Sequence, residues 1–214
     1  MSRPKAIDYE QQRARILRLA VDAFARIGYP SASMSGLAQA CGTSKAGLYH
    51  YFPSKDALLF EALNGYTQRL QEIVNASADL QLAPREALLR TVRALMREYS
   101  SSRAYHVALL NDVKFLADPQ RTQIQAQERA VVDVIADRLA RAYPNAITND
   151  NRIVVTMALL GMINFTFAWL RPDGPVSHEQ FADLAVDLWS KGLDGANIPI
   201  LKGPSSEQAI CIEG

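Results

Sequence analysis

Apolar residues recur at three- and four-residue spacing along most of the chain and nowhere alternate long enough to mark a strand, so the pattern predicts an all-α protein of about nine helices. Ile16, Leu19, Ala20, Ala23, Phe24 and Ile27 give a first helix one apolar face from about Tyr9, with Gly28 as its stop and Met1 to Asp8 as a polar arm. Two short helices follow. Met34, Leu37 and Ala38 face inward on one, Leu48, Tyr51 and Phe52 on the other, with Cys41-Gly42-Thr43 between them and Pro53 after them. Isolated helices this short are marginal in water, so the pair must rest on its neighbours. From Ser54 a long fourth helix carries Leu59, Ala62, Leu63, Tyr66, Leu70, Ile73 and Val74 on one stripe to about Ser77.

Pro84 suits the first position of a fifth helix, which reaches about Ser101. A sixth spans Arg103 to Leu116, and Asp118-Pro119 opens a seventh that ends near Tyr143. Asn151 to Leu170 is apolar on nearly every side, with Ile153, Met157, Leu160, Asn164 and Phe167 on one seam. The uncharged run from Ile153 to Leu170 is at the lower limit for crossing a bilayer. Thr156, Asn164 and Thr166 interrupt it and no second span follows, so it reads as a helix buried between two partners, with no membrane role. Ser177-His178-Glu179-Gln180 is a capping box for the last helix, on which Phe181, Leu184, Ala185, Leu188 and Trp189 share a face. The partition expected is a domain of three helices at 1–53, a larger helical domain at 54–195 entered through the linking helix at 54–77, and a loose tail at 196–214.

Net charge is only +1, but it is unevenly placed. Met1–Phe60 holds eight cations against four anions, whereas the rest holds fifteen against eighteen. The basic balance thus falls on the segment with the two short helices, as a phosphate-attracting surface requires. Outside the apolar face of the second short helix lie Thr43, Ser44, Lys45, Gly47, Tyr49 and His50, a hydroxylated, aromatic and cationic set that suits phosphates and base edges in a major groove. The alternative is an ordinary helical hairpin with a solvated face. Ser33 is placed to cap the first short helix, and Lys55 stands at the start of the fourth, where free N–H groups favour an anion.

The order of residues in this stretch resembles the TetR family of one-component bacterial repressors. The likeness runs through Ser33-Met34-Ser35-Gly36-Leu37-Ala38, Ala40-Cys41-Gly42-Thr43-Ser44, Leu48-Tyr49-His50-Tyr51-Phe52 and Lys55-Asp56-Ala57-Leu58. It departs from the family at Ala46-Gly47, where Gly then Thr is usual, and at Gly36, where an acidic residue is common. The resemblance implies a helix-turn-helix reading head that contacts double-stranded DNA at a palindromic operator, with Ser33, Ser35 and Lys55 joining the outward set of the second helix. Lys55 matches a lysine that contacts a phosphate in family members. The last two helices match a pair that closes a homodimer as a four-helix bundle, and a small-molecule effector is implied in the second domain.

No phosphate-cradling glycine loop, nucleophile elbow or paired-cysteine signature appears, so catalytic residues, cofactors and metal ligands are all expected to be absent. Two cysteines and no opening apolar signal segment fit a reducing cytoplasm. For a ligand pocket between helices the candidates are Met96, Tyr99, Tyr105, His106, Leu109, Leu110, Met162, Phe165 and Trp169, with Arg97, Asn111 and Asn164 as polar anchors. Core packing is the alternative for each. His106 reads as a structural, ligand-contacting or metal-binding group. The rival functions are a helical enzyme or carrier with an incidental helix-turn-helix, and an activator with the same head.

Overall fold

Helix α1 runs from Arg3 to Ile27, α2 from Met34 to Ala40, α3 from Lys45 to Tyr51, α4 from Lys55 to Ala76 and α5 from Pro84 to Ser101. They are followed by α6 at Arg103–Asp112, a 3-10 turn at Val113–Phe115, α7 at Asp118–Ala142, α8 at Arg152–Asn164, a second 3-10 turn at Phe165–Ala168 and α9 at His178–Gly195. The computed structural model describes residues 3–76 and 82–195, and among them there are nine α-helices and no strand. The predicted tail lies outside the described residues.

Three sequence boundaries move. The stretch read as an arm is already helical from Arg3, because Pro4 is tolerated in a first turn and nothing else before Tyr9 opposes a helix. The sixth helix stops at Asp112, with a tighter turn after it. The apolar run expected as one helix to Leu170 breaks at Asn164. There Thr166 turns its hydroxyl back onto Ile163 O at 2.7 Å, and Leu170 N bonds Thr166 O at 2.8 Å, local bonds that compete with regular α-helix. No described helix is long and apolar enough to cross a membrane.

By packing, the chain divides into two compact units, one of Met1–Glu72 and Glu98–Ala130, the other of Ile73–Arg97 and Val131–Gly214. The helix-turn-helix segment therefore belongs to a larger body with most of α4, all of α6 and the first half of α7. In that unit Ile16, Ala20, Phe24, Leu37, Leu48, Phe52, Leu59 and Leu63 are buried, and α1 packs against α2 and α6. Ile27, expected inward, is exposed, and Val21 is buried instead. Facing residues of α4 and α7 are joined by polar bonds: Thr67 to Gln127, Gln71 Nε2 to Gln127 O at 3.2 Å, and Gln127 Nε2 to Asn64 Oδ1 at 2.9 Å. The second unit is organised on Trp189, whose indole N–H donates to Val155 O at 3.3 Å and whose ring meets Tyr143 edge-on. Arg138 lies half-buried there, donating to Thr91 Oγ1 and to Val74 O at the C-terminal turn of α4.

Candidate nucleic-acid interface

Each short helix is closed at its start by a serine. Ser33 Oγ accepts from Gly36 N at 3.1 Å, and Ser44 Oγ accepts from Gly47 N at 2.9 Å, so both helices begin with a satisfied N–H. Between them the chain reverses at Gly42, whose φ of +64° is costly for any residue with a Cβ. Thr43 N closes the turn onto Ala38 O at 3.0 Å. Leu37, Ala38, Cys41 and Leu48 are buried beneath, which leaves the other side of the hairpin outward.

On that side Ser33, Ser35, Ser44, Lys45, Tyr49 and His50 are exposed, as the periodicity predicts. Thr43 and Gly47 are half-buried against each other, and a Cβ on Gly47 would come within 2.5 Å of Thr43 Oγ1. Position 47 thus offers no side chain to a groove, and the threonine hydroxyl occupies the space. The His50 ring packs edge-on to Tyr9 and to Tyr51, and Tyr9 stacks on Tyr51 at 4.8 Å. Tyr9 is a neighbour that periodicity did not reveal. Its only sequence signal is an aromatic residue near the start of α1.

Lys55 is half-buried and directed inward. Its ammonium donates to Tyr29 O at 3.0 Å and Ala32 O at 2.9 Å and lies 4.2 Å from the Tyr29 ring centroid. Tyr29 in turn donates its hydroxyl to Asp56 and stacks on Phe115. Burial, reinforced by the Asp56 carboxylate, pushes the Tyr29 phenol well above its ordinary range and keeps it a donor. The entry to α2 and the start of α4 are therefore tied by one lysine and one tyrosine.

Residues 16–62 match the family model described as bacterial regulatory proteins of the tetR family, and residues 81–193 match the one described as tetracyclin repressor-like, C-terminal domain. The chain belongs to the TetR family. It is similar to a solved TetR-family transcriptional regulator from Bordetella parapertussis, with 34% identity, a TM-score of 0.79 and coverage of 83% of this chain and 93% of that one. It is also similar to AibR, solved with isovaleryl coenzyme A and operator DNA, with 27% identity, a TM-score of 0.73 and coverage of 83% and 97%. A curated relative, the transcriptional activator FasR of Mycolicibacterium smegmatis, is 24% identical over 195 residues, 90% of this chain and 87% of its own. A shorter match, to the Bacillus subtilis regulator YerO, is 28% identical over 104 residues and covers 36% of that protein. This TetR-family protein is thus a helix-turn-helix transcriptional regulator and not an enzyme.

The nine ligand candidates of the regulator divide between its two units. In the first, Tyr99, His106 and Leu109 are buried, Tyr105 is half-buried and Leu110 is exposed. His106 stacks on Tyr99 with centroids 3.9 Å apart, and its Nδ1 lies 3.2 Å from the hydroxyl of Tyr66, which the sequence reading placed in the core. Burial, then Tyr99 and Glu98, push the Tyr66 phenol far above its usual range, so it stays protonated beside the imidazole. In the second unit Met96 is buried and Met162 half-buried, but Phe165 and Trp169 are 61% and 53% exposed. Of the polar anchors, Arg97 pairs with Glu179 at 2.7 Å, and Asn111 donates to Val107 O on its own helix at 3.0 Å.

Phe165 and Trp169 are part of an outward apolar surface. With them Ile153, Val154 and Met157 of α8 and Leu184 and Leu188 of α9 are all exposed. Leu160, read as a seam residue, is 4% exposed and belongs to the protomer's own core. The outward face of α8 therefore runs through Val154, Met157, Ala158 and Gly161 and continues at Phe165 in the turn that follows.

Proposed function

We propose that the protein is a cytoplasmic transcriptional repressor that binds a palindromic operator as a homodimer and releases it on binding a small, largely apolar or aromatic effector, with an acid or its coenzyme A thioester among the candidates. The observation that carries this reading is the outward face of α3, where Ser44, Lys45, Tyr49 and His50 stand exposed on a helix capped at its start and seated on a buried floor. Contacts to DNA are assigned to these four with Ser33, Ser35, Thr43, Gly47 and Lys55. Two such heads in a symmetric dimer would enter successive major grooves about 34–36 Å apart, and an effector that favours another spacing lowers affinity. Relief of repression by tenfold needs about 1.4 kcal/mol of preference for the non-binding form.

The outward apolar face of α8 and α9 supports dimerisation, since a patch of this kind on a soluble protein marks an interaction surface. For the effector, the buried cluster of Tyr66, Tyr99 and His106 beside Tyr105 supplies apolar bodies with a few polar tips. Repression is favoured by the repressor-like C-terminal family model, and an acyl thioester by the ligand in the AibR complex. The likeness to FasR carries the second reading, an activator with the same head. A mobility shift with a palindromic fragment from beside the protein's own gene tests the DNA role. Binding lost in Lys45→Ala and reduced by isovaleryl coenzyme A supports the whole reading. Absence of any specific shift defeats it, and a transcription assay on the same fragment separates repressor from activator.

A further inference from the structure

Helix α4 carries a glycine near its middle that the helix itself does not explain. Gly65 has an ordinary helical backbone, the positive φ values belonging to Gly28 and Gly42, and a Cβ built on it would meet nothing within 4 Å. Glycine inside a helix is destabilising relative to alanine, so neither conformation nor close packing accounts for it. What the missing side chain leaves is space. Gly65 borders an open cleft of about 270 Å³ in the first unit, walled by Leu17 of α1, Tyr66 and Arg69 of α4, Glu98 of α5 and Tyr105 of α6.

The most sheltered charge in that wall is negative. The Glu98 side chain is only 13% exposed, and one of its oxygens accepts from Ser102 Oγ at 2.7 Å. The other oxygen lies 3.6 Å from Arg69 Nε, longer than a hydrogen bond, and Arg69 is largely in solvent with Glu72 equally 3.6 Å away. The second carboxylate at the cleft, Glu61, is already paired with Arg13. The rings of Tyr66 and Tyr105 lie beside Glu98 with centroids 6.0 Å apart and planes tilted by 33°. A sheltered carboxylate beside two aromatic side chains attracts an organic ammonium far more than an anion.

We propose that this cleft is a binding site for a small organic cation with a compact apolar body, the ammonium against Glu98 and the rings of Tyr66 and Tyr105, the body over Gly65. The site does not depend on the protein being a repressor. Calorimetric titration of the full, DNA-free protein with benzyltrimethylammonium chloride and, in parallel, with phenylacetate at matched ionic strength tests it. The ammonium should bind once per chain and the carboxylate at least tenfold more weakly. Glu98→Gln should weaken the ammonium at least tenfold, and Gly65→Leu, whose side chain would fill the cleft, should abolish it without lowering the melting temperature. If Glu98→Gln does not fold by circular dichroism, Gly65→Leu decides alone. No heat with the ammonium, equal binding of phenylacetate that Gly65→Leu removes, or ammonium binding that persists in Gly65→Leu overturns the proposal. The titration contains no DNA, so its failure is separate from failure of the operator assignment, and phenylacetate binding that Gly65→Leu leaves unchanged belongs to the effector assignment and not to this cleft.

Discussion

Lys55 stands at the first turn of α4, where a helix N-terminus would ordinarily turn a cation toward solvent, yet its ammonium closes onto two carbonyls of the loop before α2. Charged donors to carbonyls contribute more than neutral ones, and removing this one strands two acceptors. Lys55→Ala should therefore cost roughly 1–3 kcal/mol of stability in a denaturant melt. If the remaining N–H also meets a phosphate, the salt dependence of operator binding should fall by about one unit of slope. A stability loss with an unchanged slope would assign Lys55 to the loop alone. At position 47 the glycine and Thr43 share one space. Gly47→Ala gains up to about 1 kcal/mol of helix propensity but forces the Thr43 hydroxyl to rotate. The same change in a Thr43→Ala background should be plainly stabilising, and the two substitutions should fail to add.

Among the helices, α7 illustrates how a half-buried charge carries a cost. Glu128 of α7 is half-buried, and desolvation raises its carboxyl above the ordinary range, with Arg129 offsetting part of the shift. A carboxyl raised on folding binds its proton more tightly in the native state, so stability falls as pH climbs from about 4.3, the ordinary value for glutamate, through the raised folded value, and is level above it. Glu128→Gln should be more stable than the parent at pH 7 and should lose that decline, as thermal melts across pH 4 to 8 would record. An unchanged profile would mean that water reaches the carboxylate. The end of α8 has a different character. Its apolar content is sufficient for a longer helix, but the Thr166 back-bond and the turn that follows put Phe165 and Trp169 on the outside, where Trp169 meets Phe181 edge-on at 5.0 Å.

For the whole molecule the outward face of α8 and α9 is where the proposed dimer can be tested. Met157 is 51% exposed in the protomer whereas Leu160, three residues on, is 4% exposed. Met157→Glu should leave the protomer folded and, if two copies meet there, turn a dimer into a monomer by placing unpaired charges in an apolar contact. Leu160→Glu should unfold it, because the charge would be buried in its own core. Sedimentation with circular dichroism separates the two outcomes. A Met157→Glu protein that still sediments as a dimer would place the interface elsewhere.

What the sequence by itself determined is what depends on near neighbours along the chain. The all-α class, Gly28 and Gly42 as punctuation, Ser33 as a cap and the Ser177–Gln180 box all rest on contacts within four residues, and the outward set of α3 follows from a period of 3.6. The box is found with both bonds, Gln180 N to Ser177 Oγ at 3.1 Å and Ser177 N to Gln180 Oε1 at 2.8 Å. Periodicity states that a face is apolar but not what covers it. Hence Leu160 and Met157 looked alike on one seam, the exposure of the pocket candidates Phe165 and Trp169 was not visible, and Lys55 was read for an anion without its two carbonyl partners. Only the tertiary structure decided that Tyr9 lies against His50, that Tyr66 meets His106 across 40 residues, and that Gly65 opens a cleft, because each is a meeting of elements distant in sequence whose approach is set by packing.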